Sequence, residues 1–145
     1  MGFRKPALTD EFKVYSLSDP CVEASDEDKY LQTLDKFYLI FKGDDAAVFT
    51  LSPPSTSQRA KAMAMSGTGK PTMGDAYASC EYLVRACWKD VSNFIIGDDL
   101  LKLEFENGLV KEEIIDKIQD TNLIFELATY ARQIGHLPFF RQKVG

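Results

Sequence analysis

One histidine, one tryptophan and three cysteines in 145 residues leave little material for the usual chemistries of an active site. A zinc site needs four ligands at recognisable spacing, or three and a water. His136, Cys21, Cys80 and Cys87 are scattered and do not supply them. An odd number of cysteines without metal-type spacing fits free thiols in a reducing compartment, not a disulfide framework. No apolar run reaches the roughly 18 residues that a bilayer-spanning helix needs, so no membrane role is expected. Met1–Asp10 has no apolar stretch and no small-residue cleavage site, which argues against a secretory signal. Pro6 stands where a myristoylation motif has Ser or Thr. A basic excess is lacking too: 17 − 22 gives a net charge of −5, against a dedicated nucleic-acid binder.

What is present is ordinary for a globular chain, with 45% hydrophobic and 27% charged residues. That length suits one domain burying roughly two-thirds of its unfolded surface. The chain divides into a polar N-terminal segment at 1–24, one α+β domain at 25–136 and an aromatic, basic tail at 137–145. In the first segment Phe12–Ser16 reads as a short strand. Ser25, followed by Asp26, Glu27 and Asp28, reads as a helix start, with the helix running through Leu34.

Lys36–Lys42 and Ala46–Leu51 are rich in aromatic and β-branched residues and are separated by Gly43-Asp44-Asp45. Together they predict a β-hairpin at about 36–51, with Phe37, Leu39 and Phe41 on one face, packed against three or four helices. Ser55 and Gln58 match a capping box for a helix to about Met65. Residues 66–74 read as a glycine-rich loop. Tyr77, Cys80, Val84, Cys87 and Val91 recur at helical spacing and predict an amphipathic helix over 75–91, with both cysteines buried. Residues 98–106 read as strand or helix, because Leu101, Leu103 and Phe105 alternate with charges. Lys111–Ile118 reads as a helix, and Thr121 caps a last helix ending at Gly135.

Each candidate chemistry has a competing structural reading. Gly67-Thr68-Gly69-Lys70 invites a phosphate loop, but Ala64 and Pro71 break the template and a helix precedes it, so a surface loop is the better reading. A thiol nucleophile needs a base, and His136 is the one histidine, beside a helix stop. Structural cysteines are favoured over an enzyme using Cys87 or Cys21. Asp98-Asp99 and Glu112-Glu113 are adjacent pairs that diverge on a helix, and no calcium-loop order surrounds them. The expected site therefore contains no catalytic residue, no metal and no cofactor.

Charge is uneven. Residues 98–120 carry eight acids against three lysines, whereas Arg59, Lys61 and Lys70 have no acid between them. Phe139 and Phe140 follow Pro138 and sit beside Arg141 and Lys143, which is the composition of an interface anchor. This tail is expected to dock on a neighbouring subunit or partner near an acidic surface such as 98–120, the alternative being that it folds back on its own domain.

The order of elements resembles a known family. Phe37–Gly43, Val48–Pro53 and the capped helix Ser55–Met65 resemble the opening of bacteriophage tail assembly chaperones. Tyr82–Asn93 is similar to that family's Val…Gly-Trp helix end, with Cys87 where members often have glycine. Ile114–Ile118 and Leu123–Ile134 are like its closing helices. The resemblance implies a non-enzymatic virion assembly protein of the host cytoplasm, or retained in the virion. Its partners would be phage structural proteins, tape-measure or tube protein, or other copies of itself in a homo-oligomer. A second class of function, a small acidic inhibitor or adaptor of a host protein, follows from the −5 charge and the acidic 98–120 stretch.

Overall fold

A computed structural model describes residues 5–67, 69–70 and 72–136. Among the described residues the chain is α+β. The N-terminal half supplies β1 (Phe12–Val14), β2 (Val22–Ala24), α1 (Glu27–Thr33), a 3-10 turn at Lys36–Tyr38, β3 (Leu39–Phe41) and β4 (Val48–Leu51). Two helices follow, α2 (Thr56–Met65) and α3 (Met73–Cys87), then β5 (Trp88–Ser92). Four two-residue strands come next: β6 (Ile95–Ile96), β7 (Asp99–Leu100), β8 (Phe105–Glu106) and β9 (Leu109–Val110). The helices α4 (Glu112–Ile118) and α5 (Thr121–Ile134) close the described chain.

The centre is an antiparallel sheet ordered β1-β4-β5, which together with α3 and α5 builds one core. Register explains its two faces. Phe12, Leu51 and Trp88 stand opposite one another and are buried, as are Val14 and Phe49, with Val91 half-buried beside them. Lys13 and Asp90 flank Thr50 on the other face and are exposed, as the period of two in a pleated strand requires. The boundary read at residue 25 is not a boundary in space, because Phe12, Val14 and Val22 belong to the same core cluster as the helices.

The α+β class holds, but the pairing within 36–51 differs from the expected hairpin. Both runs form strands, yet β3 pairs with β2 and β4 pairs with β1 and β5. Two aspartates redirect the chain. The Asp35 carboxylate accepts the Phe37 N–H at 2.9 Å and starts a 3-10 turn, which breaks the alternation and leaves Phe37 exposed. The Asp19 carboxylate accepts the N–H groups of Cys21 and Ala47, both at 2.8 Å, and so ties the start of β4 to the turn before β2.

Helix ends differ from expectation by similar local competition. Ser25 donates its N–H to Tyr38 in the β2–β3 ladder, so Asp26 caps α1 instead. The Ser55–Gln58 capping box forms as read, and a second one, Thr72–Asp75, starts α3 two residues early. Asp120, one residue before Thr121, caps α5. Helix α3 stops at Cys87, not 91, because Trp88 turns extended to pair with Leu51 and its indole N–H donates to the Asp90 carbonyl at 2.8 Å. Val91 fits a buried strand position as well as a helical stripe. At the end of α5, the Arg59 guanidinium lies where a Cβ on Gly135 would sit, so a larger residue there would have to displace that flexible side chain.

Residues 98–106 are neither one strand nor a helix. They belong to two hairpins, β6–β7 and β8–β9, each extended by one further backbone bond, from Leu101 N–H to Phe94 and from Lys111 N–H to Glu104. Asn107 and Gly108 both have positive φ, the requirement of a tight hairpin turn.

Candidate functional site

The three thiols fall in different places, and among the described residues none hydrogen-bonds to His136. Cys80 and Cys87 are buried on the inner stripe of α3, as the spacing predicts. Burial pushes the Cys87 thiol up to about 12, with Lys89 and Arg59 pulling the other way. Cys80 receives a bond from Arg132 Nη2 at 3.2 Å. Cys21 lies half-exposed between β1 and β2, its thiol raised by desolvation and then by the carboxylates of Asp19 and Asp45. His136 is exposed just past α5. Burial at Cys87 and the neighbouring carboxylates at Cys21 thus both favour the protonated thiol over the thiolate.

The acidic pairs are also kept apart. Asp98 and Asp99 sit at the β6–β7 turn, whereas Glu112 and Glu113 occupy the first turn of α4. Glu112 pairs with Arg85 at 3.4 Å, and Arg85 Nε donates to the Val110 carbonyl at 2.6 Å, tying α3 to β9. Glu81, on the same side of α3, has its carboxyl raised by desolvation and by Glu112 and Asp116, against the pull of Arg85 and a bond from Tyr77. Among the described residues no group of three or more His, Cys, Asp or Glu is placed to hold a metal ion. Gly67 and Gly69 adopt positive φ between α2 and α3, in a loop that follows a helix as read, with Lys70 exposed.

Sequence reasoning missed a polar cluster centred on Glu126. Its carboxylate accepts the Ser16 hydroxyl at 2.5 Å, the Leu17 N–H at 2.9 Å and the Tyr130 hydroxyl at 2.8 Å. Beside it, the Tyr30 hydroxyl accepts from the Tyr15 N–H and donates to the Tyr15 carbonyl, and its ring meets Tyr130 edge-on. Burial raises both the Tyr30 and Tyr130 phenols above their usual range, and Glu126 adds to each shift. The cluster fastens residues 15–17 to α1 and α5. The available signal was Glu126 four residues before Tyr130 on the apolar stripe of α5.

Apart from Leu8 and Leu31, the exposed large apolar side chains among the described residues fall in three groups. Phe37, Ile40 and Phe41 lie along the β3 ribbon, where Phe41 packs edge-on against Tyr15. Met63 and Met73, 73% and 76% exposed, flank the α2–α3 junction, with Met65 nearby. Ile95 and Leu100, 62% and 59% exposed, stand directly opposite each other on β6–β7, and Phe105 is exposed on β8. The tail residues Phe139, Phe140, Arg141 and Lys143, read above as an interface, lie outside the described residues.

No protein-family model, no curated protein and no solved structure matches this chain. Among the described residues no helix is long and apolar enough to cross a membrane.

Proposed function

We propose that this chain works by binding other proteins, as a non-enzymatic phage assembly or virion accessory protein that engages phage structural proteins such as tape-measure or tube protein. The observation that carries the reading is the surface: groups of large apolar side chains stand exposed at three separate places, while the Cys87 and Cys21 thiols are pushed toward the protonated form. Exposed apolar groups rimmed by polar ones are what a protein-binding surface requires. The tail assembly resemblance rests on the sequence of Phe37–Gly43, Val48–Pro53, the capped helix Ser55–Met65, Tyr82–Asn93 and the closing stretches Ile114–Ile118 and Leu123–Ile134. Action in the host cytoplasm, with or without retention in the virion, belongs to this reading.

A second reading, an acidic inhibitor or adaptor of a host protein, is favoured by one specific feature. The eight acids and three lysines of 98–120 account for the whole net charge of −5, since the other 122 residues balance at 14 acids and 14 bases. Affinity capture from phage-infected cells, read by mass spectrometry, separates the two. Tape-measure or tube protein as the bound species supports assembly. A single host protein supports inhibition and overturns assembly.

A further inference from the structure

Two of the exposed apolar groups carry opposite charge, and each complements the other. From 56 to 74 the chain holds no acid, and Lys61 and Lys70 stand exposed with Met63 and Met73, while Arg59 turns its guanidinium to the end of α5 at Gly135. On α2 the outward positions include Ala60, Lys61, Met63 and Ala64, so methionine and lysine rise from a floor of small side chains. Lys61 lays its ammonium over the Tyr82 ring at 4.8 Å, which holds its charge at this face. From 95 to 106, Ile95, Leu100 and Phe105 are interleaved with Asp98, Asp99, Glu104 and Glu106 and one cation, Lys102. Among the described residues none of those four carboxylates is ion-paired. The β3 ribbon has no such sign, since Asp35, Lys36, Lys42 and Asp44 mix around it.

We infer that copies of this chain associate, the methionine–lysine face of 56–74 in one copy docking on the acidic apolar ribbon 95–106 of another. Flexible methionine side chains adapt to the branched Ile95 and Leu100, and the cations meet carboxylates that are otherwise unpaired. Two different patches meeting in this way make a heterologous contact, which propagates from copy to copy until it closes. Like charge opposes pairing of either face with itself. This self-association is separate from the partner binding proposed above: a strictly monomeric chain overturns it and leaves that reading intact.

Sedimentation velocity of the purified full chain tests it. The expected result is a mass that grows with concentration and falls back toward the monomer as salt rises from about 50 mM to about 500 mM, because exposed charges are screened over that range. Met63→Glu and Leu100→Asp, both at exposed positions, should each weaken association at least about tenfold with the circular dichroism spectrum unchanged. Mixed one to one, the two variants should recover a two-copy complex, since each retains the face that the other lacks. Three results overturn the inference: a monomer at every concentration, association that neither substitution alters, or variants that do not complement when mixed. Association abolished by deleting 137–145 but insensitive to both substitutions also overturns it and makes the tail the docking element.

Discussion

At Glu126 one carboxylate receives a hydroxyl from Ser16, an N–H from Leu17 and a phenol from Tyr130, amid buried aromatic rings. At Asp98, Asp99, Glu104 and Glu106 the same functional group stands beside apolar side chains just as large, yet faces water with no cation in reach among the described residues. Residue type does not separate the two regions; the neighbours do. At Glu126 the chain brings two donors from one distant segment and a third from the next turn of the same helix, so the charge is consumed by the fold. Along β6–β8 the neighbours are other acids, so charge and apolar surface both remain available to something outside the fold. Perturbing the first region should therefore change stability, and perturbing the second should change association.

The largest expected effect lies at the core end, at Cys87. Below pH 9 its thiol is protonated in both the folded and the unfolded chain. Between pH 9 and about 12 the unfolded chain releases the proton and the native one keeps it, so stability falls as pH rises. The full difference is about 4 kcal/mol, reached at a slope of about 1.4 kcal/mol per pH unit. Urea unfolding across the alkaline range should show a slope shallower in Cys87→Ala than in the native chain by about this amount, the buried phenols of Tyr30 and Tyr130 supplying the remainder in both. Equal slopes would mean that the thiol is not buried as described. At neutral pH the same substitution should cost about 1–2 kcal/mol as a small core truncation. Native labelling should modify Cys21 well before Cys80 or Cys87.

Glu126→Ala comes next. It leaves the Ser16 hydroxyl, the Leu17 N–H and the Tyr130 hydroxyl without their acceptor, and an unsatisfied buried polar group costs about 1–3 kcal/mol. With part of the loss relieved by water, the expected destabilisation is about 3 kcal/mol, read by chemical denaturation. A value near zero would break the comparison, because Glu126 would then resemble the ribbon carboxylates.

Much of this architecture was legible in the sequence where a pattern has one reading. The Ser55–Gln58 box, the stripe of Ile124, Leu127, Ala128, Ala131 and Ile134, and the burial of Cys80 and Cys87 follow from spacing alone. What was not legible depended on competition between local and distant partners. Phe37 to Leu51 reads as a hairpin until Asp19, eighteen residues before Phe37, takes the Ala47 N–H. Val91 satisfies a helical period and a strand period, and only the vacant edge of β4 decides between them. Glu126 reads as one more polar residue, because its donors Ser16 and Leu17 lie more than a hundred positions away. The ribbon was legible as charge but not as shape, since two-residue strands are too short for any period to show.

A smaller effect is expected at Glu81, where the carboxyl is raised by desolvation and by Glu112 and Asp116. In the interval between its unfolded value and its raised native value, the native chain binds more protons, so stability declines as pH rises through that interval. Above it the ionised group opposes folding. Glu81→Gln should therefore stabilise at neutral pH, by a few tenths of a kcal/mol because the site is partly solvated. The gain should vanish in acid. A loss at neutral pH would show that the attraction of Arg85 outweighs the two acids.

The smallest expected effect on stability is the sharpest test of the contrast. Leu100→Thr retains a residue suited to a strand and removes an apolar side chain that is already mostly in water. Little burial is lost, and Ile95 across the hairpin gains a β-branched neighbour in place of leucine. The change in unfolding free energy should stay within about 0.5 kcal/mol. Asp98→Asn with Asp99→Asn should behave alike, since removing unpaired like charges from one turn gives up no ion pair. If either variant instead unfolds easily, the β6–β7 hairpin is a part of the core that happens to be wet, and the free side chains belong to the fold after all. If both remain as stable as the parent while salt-sensitive association weakens, the carboxylates of the ribbon and the carboxylate of Glu126 serve opposite ends: one holds the chain to itself, the others hold it to a neighbour.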